Sequence, residues 1–333
     1  MFSNLKVLVA ESSGCSPVAV DILRQLGDVE LADLKFDELW AAAPNFDVLW
    51  VRLRHRISGV LMDHAPRLRA IATPTTGLSH IDVEAAARRG ISIFSLRGET
   101  DFLRNIRATA EHTIALMLGV MRHLPAATAS VRDGAWDRDQ FKGSELCGKT
   151  VGIVGYGRVG RIVAGYLRAF GARVIVTDPR LGQTPSSPDV EAVSLNDLLT
   201  QADMVSVHVD LNEHTQNLFG WDEFRRMKAG AWFVNTSRGE LIVEDALLWA
   251  LESGRLSGAA LDVLKGEPGN HVTQGAMAQY ARKHQHLLIT PHIGGCTFES
   301  MEKTEMFLAR KVVAGLLSQP EKPGLGSRHA ASV

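Results

Sequence analysis

Three residues of complementary chemistry stand just past apolar runs in the second half of the chain. They are Arg238 in NTSRGELIVEDAL, Glu267 in LDVLKGEP and His292 in PHIGG. An arginine grips a carboxylate with a planar fork of N–H donors. A histidine exchanges a proton near neutral pH, and a carboxylate beside it orients the ring and favours its charged form. Brought to one edge, an arginine, an acid and a histidine would suit a hydride-transfer site. Asp262 lies in the same LDVLKGEP stretch. Singly, each reads equally well as a turn, a cap or a surface charge. The order of all four is what points to a site.

A second stretch supplies the hydride chemistry. Residues 151–178 read VGIVGYGRVGRIVAGYLRAFGARVIVTD, with Gly155, Gly157 and Gly160 between an apolar run and an amphipathic one. In a GxGxxG turn the first glycine allows the tight bend, the second lets backbone approach a pyrophosphate, and the third lets helix and strand pack closely. The helix N-terminus offers free N–H groups to the phosphates. Asp178, 18 residues beyond Gly160, stands where an acid accepts hydrogen bonds from the adenosine ribose and repels a 2′-phosphate. The pattern predicts NAD as cofactor, while Arg158 and Arg180 leave NADP within reach.

These residues need elements to position them. LKVLVA, DVLWVR, LRAIAT and ISIFSL read as strands, as do TVGIVGYG, ARVIVTD, MVSVHVD, AWFVNTS, GAALDVL and HLLITPH. Helical stretches such as PVAVDILRQL and HIDVEAAARRG separate them. Alternating β and α elements predict an α/β fold with parallel sheets covered on both faces. NIRATAEHTIALMLGVMRHL, 105–124, is apolar over most of a helix surface and predicts a buried connecting helix. RDGAWDRDQFKGSELCGK predicts an extended connector, and EKPGLGSRHAASV a loose tail.

Composition excludes several classes. The 36 basic and 37 acidic side chains of the 333 residues nearly cancel, which argues against a nucleic-acid partner or an anionic lipid surface. Cys15, Cys147 and Cys296 have neither metal-ligand nor disulfide spacing, so no metal is expected. They suit a reducing compartment. MFSNLKVLVAE opens with a short run better suited to a first strand than to a signal sequence, and no stretch approaches the roughly 18 apolar residues that span a bilayer. The expected setting is cytoplasmic.

From about Asp47 to about Glu305 the chain resembles the D-isomer-specific 2-hydroxyacid dehydrogenases, which include D-3-phosphoglycerate dehydrogenase. The motifs that carry the likeness are TTGLSHID, TAEHTIALML, GSELCGKTVGIVGYGRVGR, SLNDLLTQADMVSVHV, NTSRGELIVEDAL, ALDV, GEP and PHIGG. The resemblance implies two Rossmann-like domains with a cleft between them. A discontinuous substrate-binding domain would span about 1–103 and 293–333, and the NAD-binding domain about 104–292. It implies that Arg238, Glu267 and His292 are catalytic and that backbone around Thr76, Gly77 and Leu78 binds the substrate carboxylate. On the cofactor side it implies Thr109, Arg158, Val159, Thr236, Ser237, Asp262 and Gly294, with His208 and Val209 toward the adenosine. The activity implied is hydride transfer between NAD and a D-2-hydroxy acid or 2-keto acid. A homodimer through the 105–124 helix is implied as well. The sequence stops without the C-terminal regulatory domains of some relatives, which predicts no serine feedback through them.

Arg52 and Arg54, after DVLWV, read either as a site for a second anionic group on the substrate or as solvated surface charge. Pro74 and Thr75 stand where many relatives carry small residues or glycine, and Asp210 where proline is common. The stretch between Glu267 and His292 is longer than usual and partly helical in pattern. One reading of another class stays open: an NAD-sensing scaffold on the same fold, like the C-terminal-binding-protein corepressors.

Overall fold

LKVLV, VLW and AIA are each followed by a chain reversal through a helix, so these strands and SIF line up parallel rather than as hairpins. The computed structural model describes residues 4–181, 190–267 and 269–318. The chain divides into two compact units, one made of residues up to Gly98 and from Met301, the other of Glu99–Ser300. The limits expected at 103/104 and 292/293 therefore move outward, and hydrogen bonds explain why. Arg158 Nη1 donates to the carbonyls of Leu103 (3.5 Å) and Ile106 (3.0 Å), and the N–H groups of Ile293 and Gly294 donate to Asp262. Both flanking segments are tied to the second unit.

The first unit holds strands β1 (Leu5–Val9), β2 (Gly27–Leu31), β3 (Val48–Trp50), β4 (Ala70–Ala72) and β5 (Ser92–Phe94), in the order β2-β1-β3-β4-β5. All are parallel. Leu8, Leu49 and Ile71 from the three central strands are fully buried and pack with Ile57, Leu61 and Ile81. The sequence did not announce β2, whose GDVEL carries two acids. It pairs only with β1, and an edge strand needs no continuous apolar run. The helix Phe298–Leu317 contributes Leu308, Ala309 and Val312 to buried positions.

The second unit holds β6 (Thr150–Val154), β7 (Arg173–Thr177), β8 (Glu191–Ala192), β9 (Met204–Val207), β10 (Ala231–Asn235), β11 (Leu256–Leu261) and β12 (Leu287–Ile289). Their order is β12-β11-β10-β9-β6-β7-β8, again all parallel. The chain builds outward from β6 through β7 to β8, then crosses to β9 and continues to β12. The strand order thus reverses between β6 and β9, the kind of point at which open α/β sheets take ligands beyond their strand C-termini. Successive strand residues face opposite layers: Ile153 and Val234 pack with one cluster, Val154 and Phe233 with the other.

The connecting helix is shorter than the sequence implies. It spans Ala108–Met121, and after His123 in the left-handed region (φ 52°) a second helix, Leu124–Arg132, leaves at a 65° bend. Pro125 suits the first turn of a helix and opposes continuation of the previous one. Ile114, Met117 and Val120 are buried against the unit's own sheet and the helix Arg158–Ala169. The apolar face of this helix is therefore largely covered within the chain. Exposed apolar side chains lie further along, at Leu124, Val131 and Trp136. No single helix among the described residues is long and apolar enough to cross a membrane. The expected loose tail from Glu321 falls outside the described residues, as does Pro268.

Candidate active site

The glycine-rich turn has the form its spacing requires. Gly155 adopts φ 94°, and a Cβ there would meet the carbonyl oxygen of His208 at 2.6 Å and Val209 Cγ1 at 2.8 Å. A Cβ on Gly160 would run into the carbonyl of Gly155. Gly157 differs: within 4 Å a Cβ would meet only Arg180 Nη2, at 3.6 Å. It faces a cavity of about 580 Å³ lined by Tyr156, Arg158, Asp178 and Arg180 among others. The helix Arg158–Ala169 begins there, turning the N–H groups of Arg158 and Val159 into its free first turn.

Asp178 is held by four donors. Its Oδ2 accepts from Tyr156 N–H (2.9 Å) and Arg180 Nη2 (3.1 Å), its Oδ1 from Arg180 N–H (2.9 Å) and Nε (3.1 Å). Burial works against the charge, but Arg180 and the two N–H groups outweigh it and hold this carboxyl below the usual carboxylate range. His208, just past β9, has Nε2 2.9 Å from Ser206 Oγ, while its buried Nδ1 has no hydrogen-bond partner among the described residues. Burial pushes the imidazole down to about 4, so it is neutral at physiological pH. An open glycine face, a free helix N-terminus, a carboxylate and an orphaned ring nitrogen together fit the diphosphate and hydroxyl groups of a dinucleotide.

The second cluster sits at the C-terminal ends of three adjacent strands. Arg238 follows β10, Asp262 and Glu267 follow β11, and His292 follows β12. His292 Nδ1 lies 2.6 Å from Glu267 Oε1, and each side chain keeps nearly a quarter of its surface exposed. A carboxylate at that distance requires the proton on Nδ1, which leaves Nε2 to exchange one. Arg238 Nη1 donates to the carbonyl of Ser237 at 2.6 Å. Its guanidinium has no other hydrogen bond among the described residues.

Asp262 organises this edge. It is 1% exposed, and its carboxylate accepts from Thr290 Oγ1 (2.6 Å), Ile293 N–H (2.9 Å) and Gly294 N–H (2.7 Å). Burial again opposes the charge, and these donors with His112 outweigh it, so the carboxyl stays below its ordinary value. His292 itself is left-handed, φ 54°, a conformation that costs a non-glycine residue about 1–2 kcal/mol. Its N–H bonds to the carbonyl of Asp262 at 2.9 Å, so the same residue anchors the loop that carries the strain.

Three residues here, His112, Thr113 and Asn235, were not singled out from the sequence. His112 Nε2 lies 3.0 Å from Thr290 Oγ1 and 3.2 Å from Asp262 Oδ1. Thr113 Oγ1 bonds the Thr109 carbonyl (2.7 Å) and meets Thr236 Oγ1 at 2.9 Å. The signal was legible in TAEHTIALML: Thr109, His112 and Thr113 share one face of an otherwise apolar helix. Asn235, fully buried, accepts from Ser237 N–H (2.9 Å) and donates to the Arg238 carbonyl (2.8 Å). Ser237 Oγ donates to the Val207 carbonyl at 2.9 Å, fixing the turn to β9.

In the first unit, Thr76, Gly77 and Leu78 lie on the loop after β4. Their N–H groups have no acceptor among the described residues. A chain of polar groups braces the loop: Thr75 Oγ1 donates to the Gly77 carbonyl (2.7 Å) and meets Thr73 Oγ1 (3.0 Å), which meets His80 Nε2 (3.2 Å). Thr75, out of keeping with relatives in the sequence, is thus part of the brace. Arg52 meets an environment other than an open anion site. Its Nη2 lies 2.5 Å from Glu305 Oε1, its Nε 3.0 Å, and its Nη1 donates to the Ser13 carbonyl. Glu305 is 1% exposed. Arg54 pairs with Asp33 at the surface.

The profile of the "D-isomer specific 2-hydroxyacid dehydrogenase, NAD binding domain" matches residues 114–294. Among curated relatives, D-3-phosphoglycerate dehydrogenase of Mycobacterium tuberculosis is 36% identical over 284 residues, covering 85% of this chain and 52% of that protein. Hydroxypyruvate reductase of Thermotoga maritima is 33% identical over 296 residues, covering 88% of this chain and 93% of the relative. The crystal structure of the TT0316 protein of Thermus thermophilus superposes with a TM-score of 0.81 at 34% identity, over 95% of this chain and 98% of that one. The chain spans about half the length of the phosphoglycerate dehydrogenases it matches.

Proposed function

Since the chain belongs to the D-isomer-specific 2-hydroxyacid dehydrogenases and carries their NAD-binding domain, we propose that it interconverts a D-2-hydroxy acid and the corresponding 2-keto acid. The bound nicotinamide supplies or accepts the hydride at C2. The protein handles the proton: His292 Nε2 gives one to the keto oxygen in reduction and takes it from the hydroxyl in oxidation. Glu267 holds the opposite ring nitrogen and stabilises the charged ring. Arg238, with guanidinium donors not used among the described residues, binds the carboxylate and polarises the carbonyl. In the first unit, the N–H groups of Thr76, Gly77 and Leu78 are the backbone donors offered to a carboxylate.

The observation that carries this reading is the 2.6 Å contact of His292 with Glu267, one strand away from the Arg238 turn. The substrate class takes support from relatives named as acting on phosphoglycerate and as reducing hydroxypyruvate. The test is NADH consumption with a panel of 2-keto acids, including pyruvate, glyoxylate, hydroxypyruvate and phosphohydroxypyruvate. Turnover of at least one supports the reading, and none with any member contradicts it. We also propose a homodimer, with Leu124, Val131 and Trp136 rather than the 108–121 helix as its apolar contact. A monomeric mass at micromolar concentration would contradict that.

A further inference from the structure

We propose that Arg180 sets how far the dinucleotide pocket admits a 2′-phosphorylated cofactor, NADP(H), beside NAD(H). An acid at the end of β7 excludes a 2′-phosphate only while its charge is bare. Here it is covered. The Asp178 side chain is 5% exposed, whereas Arg180 is 73% exposed and lies across it, bonded to both carboxylate oxygens. Arg180 Nη2 is also the atom nearest the open face of Gly157.

Ribose hydroxyls and the Arg180 side chain therefore compete for the same two oxygens. To bind NADH, the guanidinium must give up part of its grip on Asp178. A 2′-phosphate leaves that grip in place when it is met by the guanidinium N–H groups not turned to Asp178, since only Nε and Nη2 are bonded to the carboxylate. The other arginines around the cavity are engaged elsewhere. Arg158 donates to the carbonyls of Leu103 and Ile106, Arg104 pairs with Asp101 at 3.2 Å, and Arg161 lies over the Tyr156 ring at 4.6 Å. Asp210 also acts on Arg180 and on Arg158, so the corner balances acids against guanidinium groups instead of presenting one lone carboxylate.

The inference rests on Asp178 as the ribose contact, and the test separates the two. Dissociation constants of NADH and NADPH are measured by fluorescence titration for the wild type, Arg180→Ala and Asp178→Ala. Arg180→Ala is a change at an exposed side chain and leaves the fold in place. It is expected to raise the ratio Kd(NADPH)/Kd(NADH) by about tenfold, chiefly through weaker NADPH binding. Asp178→Ala is expected to lower that ratio. If Arg180→Ala leaves the ratio within about twofold of wild type while Asp178→Ala lowers it, the role of Arg180 is overturned and Asp178 keeps its place. If neither substitution moves the ratio, both readings fall.

Discussion

His112 Nε2 and Asp262 Oδ1 meet at 3.2 Å across the second unit, one on a helix and the other after β11. The contact closes a network that begins at Asp262 and ends on the loop carrying His292. Asp262 gathers one hydroxyl, one imidazole and two backbone N–H groups. Nothing in the reaction consumes those bonds. Their effect is to hold a histidine in a left-handed conformation beside its glutamate.

Asp262→Asn should therefore damage catalysis by displacement. It sets an NH2 group against either the Ile293 or the Gly294 N–H, which donate to different carboxylate oxygens, costing about 1–3 kcal/mol of stability. Loosening His292 should lower kcat by about 10²-fold. The acid limb gives the sign. A carboxyl held below its ordinary 3.8 contributes stability that is present above that value and lost as pH falls through the lower, folded value. Thermal melts below pH 4 should fall more steeply for wild type than for Asp262→Asn. Parallel curves would contradict the assignment.

Arg52 and Glu305 form a pair inside the first unit, and its disruption should be strongly non-additive. Arg52→Ala leaves a buried carboxylate with the Ser16 N–H and the Cys15 thiol but no cation beside it, a loss of about 3 kcal/mol. The Arg52→Ala, Glu305→Gln double variant should recover part of it, since no charge is stranded. Urea unfolding measures both. Simple addition of the two losses would show that the pair is not coupled.

His208 should make the protein acid-sensitive at mild pH. Its folded value of about 4 lies below the ordinary 6.5, so the unfolded state binds the proton first. Stability is then unaffected above about 6.5, and it declines as pH falls toward 4, by at most about 3 kcal/mol. His208→Asn should flatten the melting temperature between pH 6.5 and 4. An unchanged slope would place the acid sensitivity elsewhere.

The sequence made some of this legible and concealed the rest for physical reasons. Alternating apolar runs and helices predict parallel sheets, because a strand buried on both faces must be apolar throughout. The GxGxxG turn announces itself because two of its glycines have no room for a Cβ. β2 and β8 stayed hidden: an edge strand needs neither apolar faces nor length. Arg52 was ambiguous because its partner, Glu305, lies 253 residues away. His112 and Asn235 gain their meaning only from groups that tertiary folding brings within hydrogen-bonding distance.

The central claim is that His292, positioned by Glu267, moves the proton. Single-turnover and steady-state reduction of an accepted 2-keto acid by NADH, in wild type, His292→Ala and Glu267→Gln, tests it most directly. His292→Ala should lower kcat by about 10²–10⁴-fold with NADH affinity unchanged. Glu267→Gln keeps the shape but replaces the charged partner of Nδ1, so kcat should fall by about 10-fold with NADH affinity again unchanged. Full activity in His292→Ala, or an unchanged kcat in Glu267→Gln, would contradict the account.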